Sequence, residues 1–123
     1  MKLVDTSCWI EQLRRQGNPA VRVRVDDLLR NGDAAWCPVV RLELWSGAQG
    51  AHEQRVLREM ERELVCFEIS PAVWDLACDL AVRARAKGIT VPASDLLVAA
   101  CARHHGVGIE QADAHFDLIA RLF

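Results

Sequence analysis

Four short apolar stretches, at residues 2–5, 34–37, 66–69 and 107–111, alternate with segments patterned as helices. Strands separated in this way by helical crossovers pair in parallel. The alternation therefore predicts an α/β fold, a central, mainly parallel sheet of short strands with helices layered on it. No linker, internal repeat or low-complexity tract divides the 123 residues, so residues 1–123 are expected to form a single domain.

The helices are marked by local signals. Trp9, Ile10 and Leu13 recur at helical spacing within a helix expected over 6–15, which stops near Gly17. Asn18–Pro19 restarts the chain into a second helix that runs to Arg30 and closes at Asn31–Gly32. Pro38 opens a third, in which Val39, Leu42, Glu43 and Ser46 are expected to share the core-facing side. The segment 52–64 reads as a solvated helix laced with opposite charges. Ser70–Pro71 is a cap followed by Pro at the first helical position, opening a helix that Gly88 ends. A nearly apolar helix from Pro92 to His105 follows, and the last helix is expected over 115–122.

Bulk properties narrow the function. A hydrophobic fraction of 51% with 26% charged residues excludes a disordered chain. No apolar run is long enough to span a bilayer and the first residues lack a signal-peptide pattern, so no membrane partner and a cytoplasmic location are expected. Five cysteines without a CxxC pair read as reduced, mostly buried small hydrophobes rather than as a zinc site. A net charge of −2 gives no global attraction to a polyanion, which would have to be held by a local patch or by bound metal. Of the 15 basic residues 13 are Arg, a composition that GC-rich coding explains as well as phosphate binding does.

Against this background four acids are unusual. Asp5, Glu43, Asp95 and Asp113 each lie in mostly apolar sequence, whereas acids normally decorate a solvated surface. Taken singly, Asp5 reads as a helix cap, Asp95 as a first-turn residue that offsets the helix dipole, and Asp113 as a loop or cap residue. Glu43, flanked by Leu42, Leu44 and Trp45, has no such role. Asp5 and Asp113 follow strand ends, the edge at which parallel α/β sheets bind ligands, and Glu43 and Asp95 lie on helices able to lean over it. Converging carboxylates raise each other's pKa and call for a hard divalent cation, Mg²⁺ with Mn²⁺ as a substitute. Such a site implies phosphodiester hydrolysis. His104 and His105 read as helix C-terminal cations, His115 next to Asp113 as a candidate for contacting substrate or orienting the acids with a solvated loop His as the plain alternative, and Trp9, Trp36, Trp45 and Trp74 as core or interface.

The segments DTS at Asp5–Ser7, ELWSGA at Glu43–Ala48, PASDLLVAACA at Pro92–Ala102 and DAHF at Asp113–Phe116 resemble the PIN-domain family, more narrowly the VapC-type toxins of bacterial toxin–antitoxin modules. The resemblance covers almost the whole chain. It implies a PIN-like three-layer α/β/α sandwich and a Mg²⁺- or Mn²⁺-dependent endoribonuclease acting on RNA. It also implies a homodimer and a cognate antitoxin that occupies the active-site groove. By motif position Asp5, Glu43, Asp95 and Asp113 take the family's metal-binding, catalytic carboxylate roles, with Thr6 and Ser94 beside them as orienting residues. Many relatives carry a second acid two residues after the last Asp, where this chain has His115.

Two other functions compete. A haloacid-dehalogenase-type phosphatase also starts with a strand-end Asp, but wants an acid at position 7, which is Ser, and a phosphate-binding lysine, where only Lys2 and Lys87 exist. A catalytically silent PIN-like binding module would account for His115 but not for an intact set of four acids.

Overall fold

The computed structural model describes residues 1–123. Strand β1 (Lys2–Val4) leads into α1 (Thr6–Leu13) and α2 (Pro19–Arg30), then β2 (Ala34–Trp36), α3 (Pro38–Gly47), α4 (Gly50–Glu63) and β3 (Val65–Cys66). Helices α5 (Pro71–Ala86) and α6 (Ala93–His104) come next, followed by β4 (Gly108–Glu110) and α7 (His115–Ala120). All pairings are parallel, in the order β3-β2-β1-β4, with Leu3 opposite Ala35 on one side and Ile109 on the other. The expected α/β architecture is therefore present: a parallel four-stranded sheet flanked by helices.

The strand order places the site. From β1 the chain steps outward through β2 to β3, then crosses back to put β4 on the opposite side of β1. Because crossovers keep one hand, this reversal divides the helices between the two faces of the sheet and opens a crevice at the carboxyl ends of β1 and β4. The ladder continues one bond beyond β1, where the Asp5 amide donates to the Glu110 carbonyl at 2.9 Å. Sheet pairing therefore fixes the backbone of the first acid.

The core explains two strong sequence signals. Leu3, Val4, Trp9, Trp36 and Val98 are fully or almost fully buried. Every residue from Asp95 to Ala102 is buried, because α6 is wedged among α5, α3, α7 and β4. That explains its apolar sequence on all sides. By contrast α4 buries only Leu57, as its charge pattern predicts.

Three details differ from expectation, while the cysteines are mostly buried as expected. The strand expected over 66–69 is Val65–Cys66, and after Phe67 donates to the Trp36 carbonyl the ladder stops. The next donor on β2's side would be Pro38, which has no N–H. The buried residues of α3 are Val40 and Leu44, while Leu42 is 66% exposed and Glu43 and Ser46 face water, so Glu43 does not share the core face. Cys8, Cys37 and Cys101 are buried, but Cys66 and Cys78 are exposed. Helix α1 ends at Leu13 and α7 at Ala120, each two residues early.

The early stop of α1 has a steric cause. The chain doubles back against the helix it has just left, and the Asn18 amide donates to the Glu11 carboxylate at 2.8 Å. A Cβ on Gly17 would lie 1.7 Å from the Glu11 carbonyl oxygen, so only glycine fits that approach. Gly17→Ala is expected to cost about 1–3 kcal/mol, the usual range for overpacking against a rigid neighbour, read as a lower urea midpoint at unchanged slope. An unchanged midpoint would show that the turn relaxes freely.

Candidate active site

Asp5 is both a sheet residue and a helix cap. Its Oδ2 accepts from the Ser7 amide at 3.0 Å and from the Ser7 hydroxyl at 2.7 Å. That hydroxyl in turn accepts from the Ala112 amide at 3.0 Å. Ser7 therefore ties the end of β1 to the loop after β4 and fixes the orientation of a carboxylate that is only 4% exposed. The reading of the sequence assigned orientation to Thr6 and Ser94 and overlooked Ser7. The signal was present, since a Ser two residues after a capping Asp is well placed to bond it.

Asp95 is the third residue of α6 and 9% exposed. Its Oδ2 lies 3.0 Å from His115 Nδ1, which also lies 3.1 Å from Asp113 Oδ1. The same Asp113 oxygen accepts from the His115 amide at 2.9 Å, and the Asp113 amide donates to Gln111 Oε1 at 2.8 Å. One donor atom from each of Asp95, Asp113 and His115 falls within 4.8 Å of the others. Of the two readings of His115, the geometry favours the one that associates it with the acids: its ring joins two of them.

Glu43 approaches from α3 with its carboxylate accepting from the Thr6 hydroxyl at 3.1 Å. Ser94, half-buried beside Asp95, donates to none of the four acids. Asp95, Asp113 and His115 therefore form a tight group, while Asp5 and Glu43 are held separately: the charge of Asp5 acts on Asp95, and the charges of Asp5 and Asp95 act on Glu43.

No Lys or Arg pairs with any of the four carboxylates. Desolvation, followed by the neighbouring Asp5 charge, pushes Asp95 above the ordinary carboxylate range, against the lowering effect of His115. Desolvation also raises Glu43, opposed by the Thr6 hydrogen bond and reinforced by the charges of Asp5 and Asp95. An uncompensated set of oxygen donors beside a single imidazole fits a divalent cation.

The PIN domain family model matches residues 2–122. The chain belongs to the PIN-domain family. Ribonuclease VapC11 of Mycobacterium tuberculosis is 36% identical over 126 aligned residues, covering 99% of this chain and 93% of that protein. Ribonuclease VapC21 of the same species is 32% identical over 107, covering 85% and 78%. Among solved structures, VapBC2 of Rickettsia felis bound to a promoter DNA fragment matches with a TM-score of 0.76 at 15% identity, covering 95% of this chain and 91% of that one. FitAcB of Neisseria gonorrhoeae matches with a TM-score of 0.73 at 23% identity, covering 98% and 94%. At such identities the structures establish the PIN fold.

The raised carboxylates give this PIN domain a definite pH behaviour without metal. Asp95 and Glu43 bind protons more tightly in the folded chain than in the unfolded one. Between the ordinary values of 3.8 and 4.5 and their raised folded values, stability falls as pH rises, and it stays reduced above that window. Metal-free Asp95→Asn is expected to resist urea better than the parent near neutrality, with the gap closing as pH falls toward about 4. A gap that did not depend on pH would show that the charge of Asp95 is not the source of the strain.

Proposed function

We propose that this PIN domain is the toxin of a toxin–antitoxin pair and a divalent-metal-dependent endoribonuclease that hydrolyses RNA phosphodiester bonds. The observation that carries the reading is the set of four carboxylates without Lys or Arg partners at the sheet's switch point, in a chain 36% identical to a ribonuclease along nearly its whole length. Asp5, Glu43, Asp95 and Asp113 would hold the ion, Mg²⁺ or Mn²⁺. When bound, it supplies Lewis-acid polarisation of the phosphodiester and an acidified water. The chain's own residues set the geometry: Ser7 orients Asp5, Thr6 orients Glu43, and the α6 backbone fixes Asp95 in a dry wall. A phosphatase of the haloacid-dehalogenase type has no support, because the side chain at position 7 is a hydroxyl committed to Asp5.

The antitoxin reading is supported by a cleft of about 530 Å³ that starts at Thr6 and Glu43 and runs between α1, α3 and α4 past Ile10, Leu13 and Val56. Ile10 and Leu13 are exposed there, and an apolar segment of a partner would cover them. The homodimer reading rests on α5, where Trp74 is 54% and Val82 70% exposed, with exposed Cys78 between them at helical spacing. No helix is long and apolar enough to cross a membrane, in keeping with a proposed site of action in the cytoplasm on cellular RNA. Residues 1–123 act as one domain in this reading.

The test is cleavage of total cellular RNA by antitoxin-free protein with Mg²⁺, Mn²⁺ or EDTA. Discrete products that require metal and vanish in Asp95→Ala are expected, with Asp5→Ala equally inactive and circular dichroism unchanged. Ser7→Ala should retain the fold and lose about 10–100-fold in activity, the usual cost of removing a group that orients a metal ligand. Full activity in Asp5→Ala or Asp95→Ala would refute the assignment. Trp74→Glu should give a monomer in solution by light scattering, and a variant of unchanged mass would place the dimer contact elsewhere.

A further inference from the structure

We infer that His115 is itself a metal ligand, through Nδ1, and that it makes this site select Mn²⁺ over Mg²⁺. The inference rests on reading the carboxylates as a metal centre and specifies which ion that centre prefers. His115 Nδ1 stands 3.0 Å from Asp95 Oδ2 and 3.1 Å from Asp113 Oδ1. One donor atom from each of Asp95, Asp113 and His115 lies within 4.8 Å of the others, so the three present a common donor face within reach of a single ion. The face is supported from behind. The His115 amide holds the Asp113 oxygen, Gln111 holds the Asp113 amide, and Asp95 is fixed by the buried start of α6.

The chemistry of that face is two carboxylate oxygens and one imidazole nitrogen. Mg²⁺ is a hard ion that prefers oxygen and keeps its water, so a nitrogen corner is a poor exchange for it. First-row transition ions accept imidazole more readily, and Mn²⁺ also keeps the affinity for carboxylates that the other oxygens of the site require. An acid at position 115 would give an all-oxygen face with one more negative charge, which suits Mg²⁺. The alternative is that His115 only hydrogen-bonds the two acids and competes with the ion for them.

The two readings separate experimentally. The full chain, free of antitoxin, is titrated with Mn²⁺ and with Mg²⁺ by calorimetry, and pulsed EPR is recorded on the Mn²⁺ form. His115→Asp, His115→Ala and Asp95→Asn are run beside the parent, each checked for folding by circular dichroism. The parent is expected to show ¹⁴N modulation from a directly bound imidazole, absent in both His115 variants. The ratio of Mn²⁺ to Mg²⁺ affinity should fall by about tenfold in His115→Asp, the low end of what changes near a metal cost. Absence of nitrogen modulation in the parent, or tighter Mn²⁺ binding by His115→Ala, would overturn the inference while leaving the metal centre intact. Failure of the parent to bind either ion, or binding that survives Asp95→Asn, would overturn the metal centre and this inference together.

Discussion

Mutual repulsion among acids that no Lys or Arg offsets, with a single imidazole between two of them, is the constraint to which the rest of this molecule answers. Asp5 and Asp95 are buried, and each adds to the cost of ionising its neighbours. Like charges held close in a partly desolvated site repel more strongly than in water, and a small domain has little stability to spare against them. A fold selected for stability alone would spread such groups over its surface or pair them with its many arginines. Here the arginines pair elsewhere: Arg24 with Glu110, Arg14 with Glu11, Arg30 with Asp27 and Arg41 with Glu61.

Rigidity around the acids follows from that constraint, because strained groups persist only where the surroundings over-determine them. Asp5 is fixed by a sheet hydrogen bond through its backbone and by two donors from Ser7 through its side chain. Asp95 is fixed by a helix packed on all sides. Glu43 is the exception, reaching in from the solvated flank of α3 with Thr6 as its hydrogen-bond donor. The arrangement is two anchored carboxylates, a third attached to an imidazole, and a fourth with freedom to adjust.

What could be read from the sequence divides along physical lines. Alternating strands and helices, the stops at Gly32 and Gly88, and the apolar helix carrying Asp95 are local or periodic signals, and the structure reproduces them. The end of β3 was misplaced because it is set by a missing donor on another strand, at Pro38, rather than by anything in CFEI itself. The face of α3 was misjudged because Leu42 is apolar yet exposed, so hydrophobicity pointed the helix about half a turn away from Val40 and Leu44. Ser7 is not visible as a site residue in the sequence, and His115 is visible only as a candidate beside the acids, for one shared reason. Their importance comes from contacts across 105 residues to Ala112 and 20 residues to Asp95, and no window of sequence contains such distances.

Local folding rules also explain how the cluster survives without an ion. Asp5 caps α1, Asp95 lies in the first turn of α6, and Asp113 accepts from the first amides of α7 through its carbonyl and carboxylate. Three helix N-termini therefore direct their positive ends at three of the four acids, while Glu43, mid-helix, has no such help and remains the most exposed to water. Each dipole contributes about 0.3–1 kcal/mol, or up to about 2 kcal/mol when partly buried. Desolvation and the neighbouring charges still leave Asp95 and Glu43 raised. The dipoles make the folded, metal-free chain tolerable, and they leave enough unbalanced charge for a cation to be drawn in. The capping roles that each acid would play alone are thus part of how the site is built, and a cap need not exclude a ligand: Asp5 accepts both of its hydrogen bonds from Ser7 through a single oxygen, Oδ2.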